Sequence, residues 1–427
     1  MTTASVALWI AAFAAVGAEP VAEPQPFALA GGETIVFFGD SITQGGAYVE
    51  YVEAALRTRM PDKNFRIVNS GISSETISGT SETDHNPRRP YAHNRFDRDV
   101  AAHSPNVLVA CFGMNDGNYH PFESERFKKY QAGVRLLIER AGQAGAKVHF
   151  MTPPPFDPYK RGSSDPKATE YGYKFPAVEY DVTLETYSQW LVRLRDEGFT
   201  VADVHSVSNA HLAARRKNLV SFFLAGDAVH PNATGHWLMA QTLLEAWNFP
   251  ATWAEIDIDL GKEPAGDTPA AAVEKNSGIV KFQATLPLPV PTDPQWDAES
   301  LALERFTERF NRGRLKVVGL PAERYEIAID GKLVGTATRE ELAAGLDLNA
   351  FSEWAIFQQG RDLLKQVQER RKAIYQGWRK AIADPNVKES GSHVKTLEAS
   401  MATQDEALKT LAQPKAYEFT LSPARGK

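Results

Sequence analysis

Residues 36–44 read Val36-Phe-Phe-Gly39-Asp-Ser41-Ile-Thr-Gln44. An apolar run stops at a glycine, and an acid and a serine follow. A serine at the mouth of a buried strand is a candidate nucleophile, provided a base and an oxyanion site exist elsewhere. Working outward, short apolar runs alternate with longer amphipathic ones from Thr34 to about Asn248. The predicted strands are Thr34–Phe38, Phe65–Asn69, Asn106–Phe112, Lys147–Thr152 and Thr200–Asp203. The predicted helices are Tyr48–Arg59, Phe127–Ala144, Leu184–Glu197 and Thr234–Ala246. Strands alternating with helices imply crossovers and a parallel sheet. In such sheets ligands bind outside the carboxyl ends of the strands. Ser41, Ser70–Ser74 and Gly113–Asp116 all fall just past predicted ends, so the three loops are expected to form one site.

The composition is that of a globular chain. Of 427 residues, 43% are hydrophobic and 23% charged, which leaves ample apolar material for a core. A net charge of −6 without a basic stripe argues against nucleic-acid binding. The single cysteine, Cys111, excludes an intrachain disulfide framework and a cysteine-built zinc site. Cys111 lies in the apolar run Val107–Phe112 and is expected to pack as a small hydrophobe. The stretch Val6–Val16 is apolar and is followed by Gly17-Ala18. It is expected to be an export signal cleaved near Ala18, with a leader over 19–32, giving a periplasmic or extracellular protein. No later run reaches the roughly 20 apolar residues of a membrane span.

The pattern changes after residue 250. A linker is expected over 251–278. Strands are expected at Gly278–Pro289, Arg314–Gly319, Arg324–Thr338 and Ala416–Leu421. Asp330-Gly331 signals a hairpin turn. Phe351–Ile382 reads as a long helix and Ser390–Leu411 as another. Residues 279–427 are expected to form a small β-sandwich with helices, and its role is open.

Four segments carry chemistry. Gly39-Asp40-Ser41 supplies the hydroxyl. Asn69-Ser70-Gly71-Ile-Ser-Ser74 is a polar loop. Gly113-Met-Asn115-Asp116 offers an amide donor suited to a developing oxyanion. Asp227-Ala-Val-His230-Pro-Asn232 lets one turn present an acid and an imidazole, the acid holding the tautomer of the ring.

In this order the four segments resemble the SGNH/GDSL-type hydrolases, over roughly residues 33–248. The resemblance implies a three-layer α/β/α flavodoxin-like fold and ester hydrolysis through a Ser-Asp-His triad, with no cofactor and no metal. Ser41 matches the nucleophile, Asp227 and His230 the acid and base, and Asn115 an oxyanion donor. Aligning the second segment puts Ser74 where the family has an oxyanion glycine. Ser74 is therefore the expected backbone donor beside Ser41, and Gly71 is the alternative. Asp40, Arg89 and Tyr119 are expected to meet substrate. Arg88, Arg95 and Arg98 either line the cleft or form a solvated charged face, and the loop aromatics Phe122, Phe156, Tyr159, Tyr171 and Tyr173 are expected near the site, stacking on sugar rings or packing locally. The expected substrate is a glycan or small-molecule ester, with O-acetylated carbohydrate first. The alternatives are a lipase or thioesterase and a non-catalytic glycan-binding scaffold. The sequence leaves the oligomeric state open.

Overall fold

The protein is described by a computed structural model over residues 27–160, 174–175, 177–262, 270–383, 396, 399 and 402–424. Strands β1 (Thr34–Gly39), β2 (Arg66–Gly71), β3 (Val107–Cys111), β4 (Lys147–Met151) and β5 (Thr200–Ala202) form one sheet in the order β2-β1-β3-β4-β5. Every neighbouring pair is parallel. This is the flavodoxin-like order, which reverses between β1 and β3 and opens a crevice there. Gly39 at the end of β1 pairs with Gly71 on one side and Cys111 on the other. The three loops that follow therefore leave the sheet at one level.

Alternation along β1 produces the layers, because successive side chains point to opposite faces. Ile35 and Phe37 join one core and Val36 and Phe38 another. Helices α1 (Ser41–Gly45), α2 (Ala47–Arg59), α3 (Phe96–Asp99), α4 (Ser124–Gln143), α5 (Ala177–Arg193), α6 (Val204–Arg216) and α7 (Ala233–Ala246) complete this part. Tyr48 and Val52 of α2 and Trp237 of α7 cover the first face. Phe96 of α3, Val134 and Leu137 of α4 and Tyr187 of α5 cover the second. The three layers agree with expectation, and Cys111 is buried within β3.

The second region contains β6 (Thr252–Asp259), β7 (Ala270–Asn276), β8 (Ile279–Leu286), β9 (Arg312–Val318), β10 (Arg324–Ile329), β11 (Lys332–Thr338), β12 (Leu346–Asp347) and β13 (Lys415–Pro423). Its helices are α8 (Ala298–Leu303), α9 (Phe306–Phe310), α10 (Arg339–Ala344), α11 (Ala355–Ala383) and α12 (Ala402–Ala412). A five-stranded sheet, β11-β10-β13-β8-β7, and a three-stranded sheet, β12-β9-β6, share one core. The last strand sits in the middle of the larger sheet. The expected hairpin turn is present, with φ of 49° at Asp330 and 77° at Gly331.

Two expectations need correction here. Residues 251–278 do not form a linker: β6 and β7 lie within them, and β6 pairs along β9. The leader expected over 19–32 is docked from Phe27 onward. Ala28 N–H donates to the Trp247 carbonyl at 2.8 Å, Leu29 is buried, and the Phe27 ring meets Phe249 edge-on. Residues 1–26, with the expected cleavage point near Ala18, lie outside the described residues, as do Tyr171 and Tyr173. No described helix is long and apolar enough to cross a membrane.

The two regions are joined across α2 and α7. Trp296 and Phe306 pack on Trp237. Tyr51 donates to Asp293 at 3.0 Å, and Arg59 donates to the carbonyls of Pro250, Leu288 and Phe310. Helix α11 lies against α2, whose Glu50 and Glu53 are consequently buried.

Candidate active site

The segment that carries Ser41 is fixed by close approach. A Cβ on Gly39 would lie 2.2 Å from Thr43 Oγ1 and 2.5 Å from the Cys111 carbonyl oxygen, so only glycine lets β1 turn into α1 here. Asp40 is the N-cap, its Oδ1 accepting from the Ile42 N–H at 2.9 Å. Burial pushes the Asp40 carboxyl up to about 7 against that hydrogen bond. Asp40 is thus a buried cap and not the substrate contact expected. Ser41 is the first residue of α1, which begins seven residues before the helix read from the sequence at Tyr48.

Ser41 Oγ lies 2.9 Å from His230 Nε2, and His230 Nδ1 lies 2.7 Å from Asp227 Oδ2. The other carboxylate oxygen of Asp227 accepts the backbone N–H groups of Val229 and His230 at 3.0 and 2.8 Å. Partial burial works against ionisation of Asp227. The bonds from the His230 ring and from those two N–H groups outweigh it and hold the carboxyl below the ordinary value. Ala228, with φ of 76°, makes the turn tight enough for one carboxylate to do this. Asn232 then caps α7 by accepting from the Gly235 N–H. The acid and imidazole side chains are about half exposed, 53% and 50%, so the site opens to solvent.

The other two loops arrive beside Ser41. Ser74 has φ of 64°, the left-handed region that favours glycine. The backbone at this position therefore keeps a glycine-like shape although the residue is serine. The alternative at Gly71 is otherwise occupied. Its N–H donates to Asn69 Oδ1 at 2.9 Å, and a Cβ there would lie 2.2 Å from the Gln44 nitrogen. Gly71 is needed for the approach of β2 to α1.

Asn115 is buried, and its amide orientation is set by its neighbours. Its Oδ1 accepts from Arg89 and from the Tyr119 hydroxyl, each at 3.1 Å. Its Nδ2 donates to the Glu75 carbonyl at 3.1 Å, and an amide nitrogen carries a second hydrogen. Arg89 is itself buried, paired at 2.6 Å through two nitrogens with both oxygens of Glu82, and it reaches the Ser74 carbonyl at 3.4 Å. Arg89 and Tyr119 were expected to meet substrate. They are instead buried side chains that orient Asn115.

The remaining cleft candidates separate in the same way. Arg95 is buried against Glu75 and Ser70, and Arg98 pairs with Asp99. Phe156 is buried with Tyr119 and Tyr180. Arg88, Phe122 and Tyr159 are exposed, with Arg216 stacked over the Tyr159 ring. Among the described residues no three His, Cys, Asp or Glu side chains gather as metal ligands.

The Ser-His-acid geometry also occurs a second time. His211 Nε2 lies 2.9 Å from Ser300 Oγ, and His211 Nδ1 lies 2.7 Å from Glu304 Oε1. Ser300 and His211 are each 2% exposed, and Ser300 Oγ also bonds Asp297. No substrate reaches that serine. What distinguishes Ser41 is access together with the loops that carry Ser74 and Asn115.

Residues 37–238 match the family described as GDSL-like lipase/acylhydrolase. This domain belongs to that family. The GDSL-like domain is similar to the acetylxylan esterase of Geobacillus stearothermophilus, with 27% identity over 239 residues, 51% of this chain and 95% of that protein. A solved structure of a catalytic mutant of the Geobacillus enzyme is 22% identical across 52% of this chain and 97% of its own, at a TM-score of 0.39. Another, described as a gut microbial diltiazem-metabolizing enzyme, is 20% identical at a TM-score of 0.76. It covers 94% of this chain and 99% of that one. The fold is thus shared beyond the GDSL-like domain and through the second region.

Proposed function

We propose that the protein is a serine carboxylic-ester hydrolase that removes O-acetyl groups from a carbohydrate. The observation that carries this reading is the hydrogen-bonded chain Ser41–His230–Asp227 at the crevice between β1 and β3. In the mechanism, His230 Nε2 takes the Ser41 proton as Oγ attacks the ester carbonyl. Asp227 holds the Nδ1–H tautomer and stabilises the imidazolium. The backbone N–H groups of Ser41 and Ser74 and the Asn115 Nδ2 receive the oxyanion. Each such donor contributes roughly 10²–10³ in kcat in comparable acyl-transfer enzymes. His230 then protonates the leaving alcohol, and water, deprotonated by His230, releases the acid and free Ser41. Support for a carbohydrate ester comes from the relative named an acetylxylan esterase. The half-exposed Asp227 and His230 suit a scissile group carried on a large body.

Acetate release from acetylated xylan and other acetylated polysaccharides, with Ser41→Ala as control, tests both parts. The variant should melt like the wild type and lose on the order of 10⁴–10⁶ in kcat. Undiminished turnover by Ser41→Ala overturns the mechanism. Hydrolysis of aryl acetates with no polysaccharide deacetylated overturns the substrate class alone.

A further inference from the structure

A five-residue helix cannot hold itself. Its single turn fixes several dihedrals for very few hydrogen bonds, so its geometry depends on what surrounds it. Helix α1 is such a helix, and it carries Ser41 at its first position. Two of its end carbonyls are satisfied from outside. The Thr43 carbonyl accepts from Asn69 Nδ2 at 2.6 Å. The Gly45 carbonyl accepts from Arg371 Nη2 at 3.0 Å.

Arg371 comes from α11, 326 residues further along the chain. Its Nε donates to the buried Glu50 of α2, so the guanidinium clamps the joint between α1 and α2. The joint residue, Gly46, has φ of 67°, and a Cβ there would stand 2.6 Å from Arg371 Nη1. The guanidinium packs directly against that backbone. The same segment also steadies the second loop, since Gln44 Oε1 accepts the Ser73 N–H at 2.6 Å, one residue before Ser74.

Resting on the esterase reading above, we propose that Arg371 is a positioning residue for Ser41, which makes the second region part of the catalytic apparatus. Gly45 is four residues from Ser41, about 6 Å along a helix. Loss of the clamp lets α1 tilt, displacing Ser41 Oγ from His230 and Ser73-Ser74 from the oxyanion. A displacement of this order costs roughly 10–10²-fold in rate, and substrate binding is not the step affected.

The test uses the full chain with Arg371→Ala, Arg371→Lys and Glu50→Gln, an aryl acetate as substrate and a fluorophosphonate probe that labels Ser41. For Arg371→Ala, kcat should fall roughly 10–10²-fold with KM within about twofold, and labelling per folded molecule should slow in parallel. Dilute guanidinium should restore part of both rates in Arg371→Ala and neither in Ser41→Ala. Arg371→Lys should fall between, because an ammonium cannot bond Glu50 and Gly45 in the same fork. Should Arg371→Ala fail to fold, Arg371→Lys and Glu50→Gln carry the same readouts. Labelling and kcat within twofold of wild type in the folded variants overturn the proposal, as does a loss that only tracks the unfolded fraction. A wild-type chain with no Ser41-dependent labelling overturns the esterase reading, and this proposal with it. Normal labelling in both wild type and Arg371→Ala overturns this proposal alone.

Discussion

Ser74 is the residue where the sequence and the family pattern disagree, and its φ of 64° explains how both can hold. In the proposed mechanism the oxyanion needs from this position a backbone N–H, and the backbone keeps a shape that glycine adopts freely. The left-handed conformation costs a non-glycine residue about 1 kcal/mol. Ser74→Gly should therefore retain activity and leave stability unchanged or raised by up to about 1 kcal/mol, as measured by thermal melting with an aryl acetate assay. A large loss of activity would mean that the Ser74 hydroxyl has a role of its own. Asp40 gives a second residue-scale test. Its carboxyl titrates near 7 in the folded chain, chiefly through burial, and near 3.9 when unfolded. The folded state therefore binds the extra proton between those values, and the cost of the buried charge grows from about pH 4 to pH 7. Asp40→Asn keeps a capping oxygen without the charge. Its melting temperature relative to wild type should rise as pH goes from 5 to 8, whereas a constant difference would refute the assignment.

At the scale of elements, the clearest electrostatic junction is the one between α6, α7 and α8. Glu304, just past α8, accepts from His211, Gln241 and Arg309. Burial opposes ionisation there, but those three bonds prevail and bring the carboxyl to about 2. Its stabilising contribution is complete above the unfolded value and disappears as pH falls through about 2. Glu304→Gln should cost about 1–2 kcal/mol at pH 7, allowing for solvent screening, and progressively less below pH 4 by denaturant unfolding. The elements also show what periodicity can reveal. Strand β1 was legible because its apolar run ends at Gly39. The Asp227–His230 turn was legible because chemistry and spacing coincide within four residues. Helix α6 was not, since His205, Ser206, Ser208 and Asn209 are weak helix formers that hold the shape through an Asp203 cap and packing. Strand β6 was hidden in Pro- and acid-rich surroundings, although Trp253, Ile256 and Ile258 are all buried. The roles of Arg89 and Tyr119 were invisible because both depend on a partner, Asn115, that only the fold brings to them.

For the whole molecule, the sequence suggested two regions that could be separated near Pro250. The structure argues that they cannot. Glu50 and Glu53 are buried under α11, Tyr51 bonds Asp293, and Trp237 is covered by Trp296 and Phe306. A chain ended near Pro250 would bare this apolar surface and leave Glu50 without Arg371. It should show dye-accessible hydrophobic surface and no cooperative melting transition, and a cooperative, monomeric fragment would contradict the interface as described. One further consequence follows from where α11 lies. Strand β2 is the outermost strand of the parallel sheet, and a bare outer strand is a template for other chains. Tyr375 and Trp378 of α11 wall the same small cavity as Ile67 and Val68 of β2, so the chain's own helix stands beside that border. The helix proposed to steady Ser41 is thus also the element that a foreign strand would meet at this border. Solubility and turnover share one fastening, and damage that loosens it should be felt in both at once.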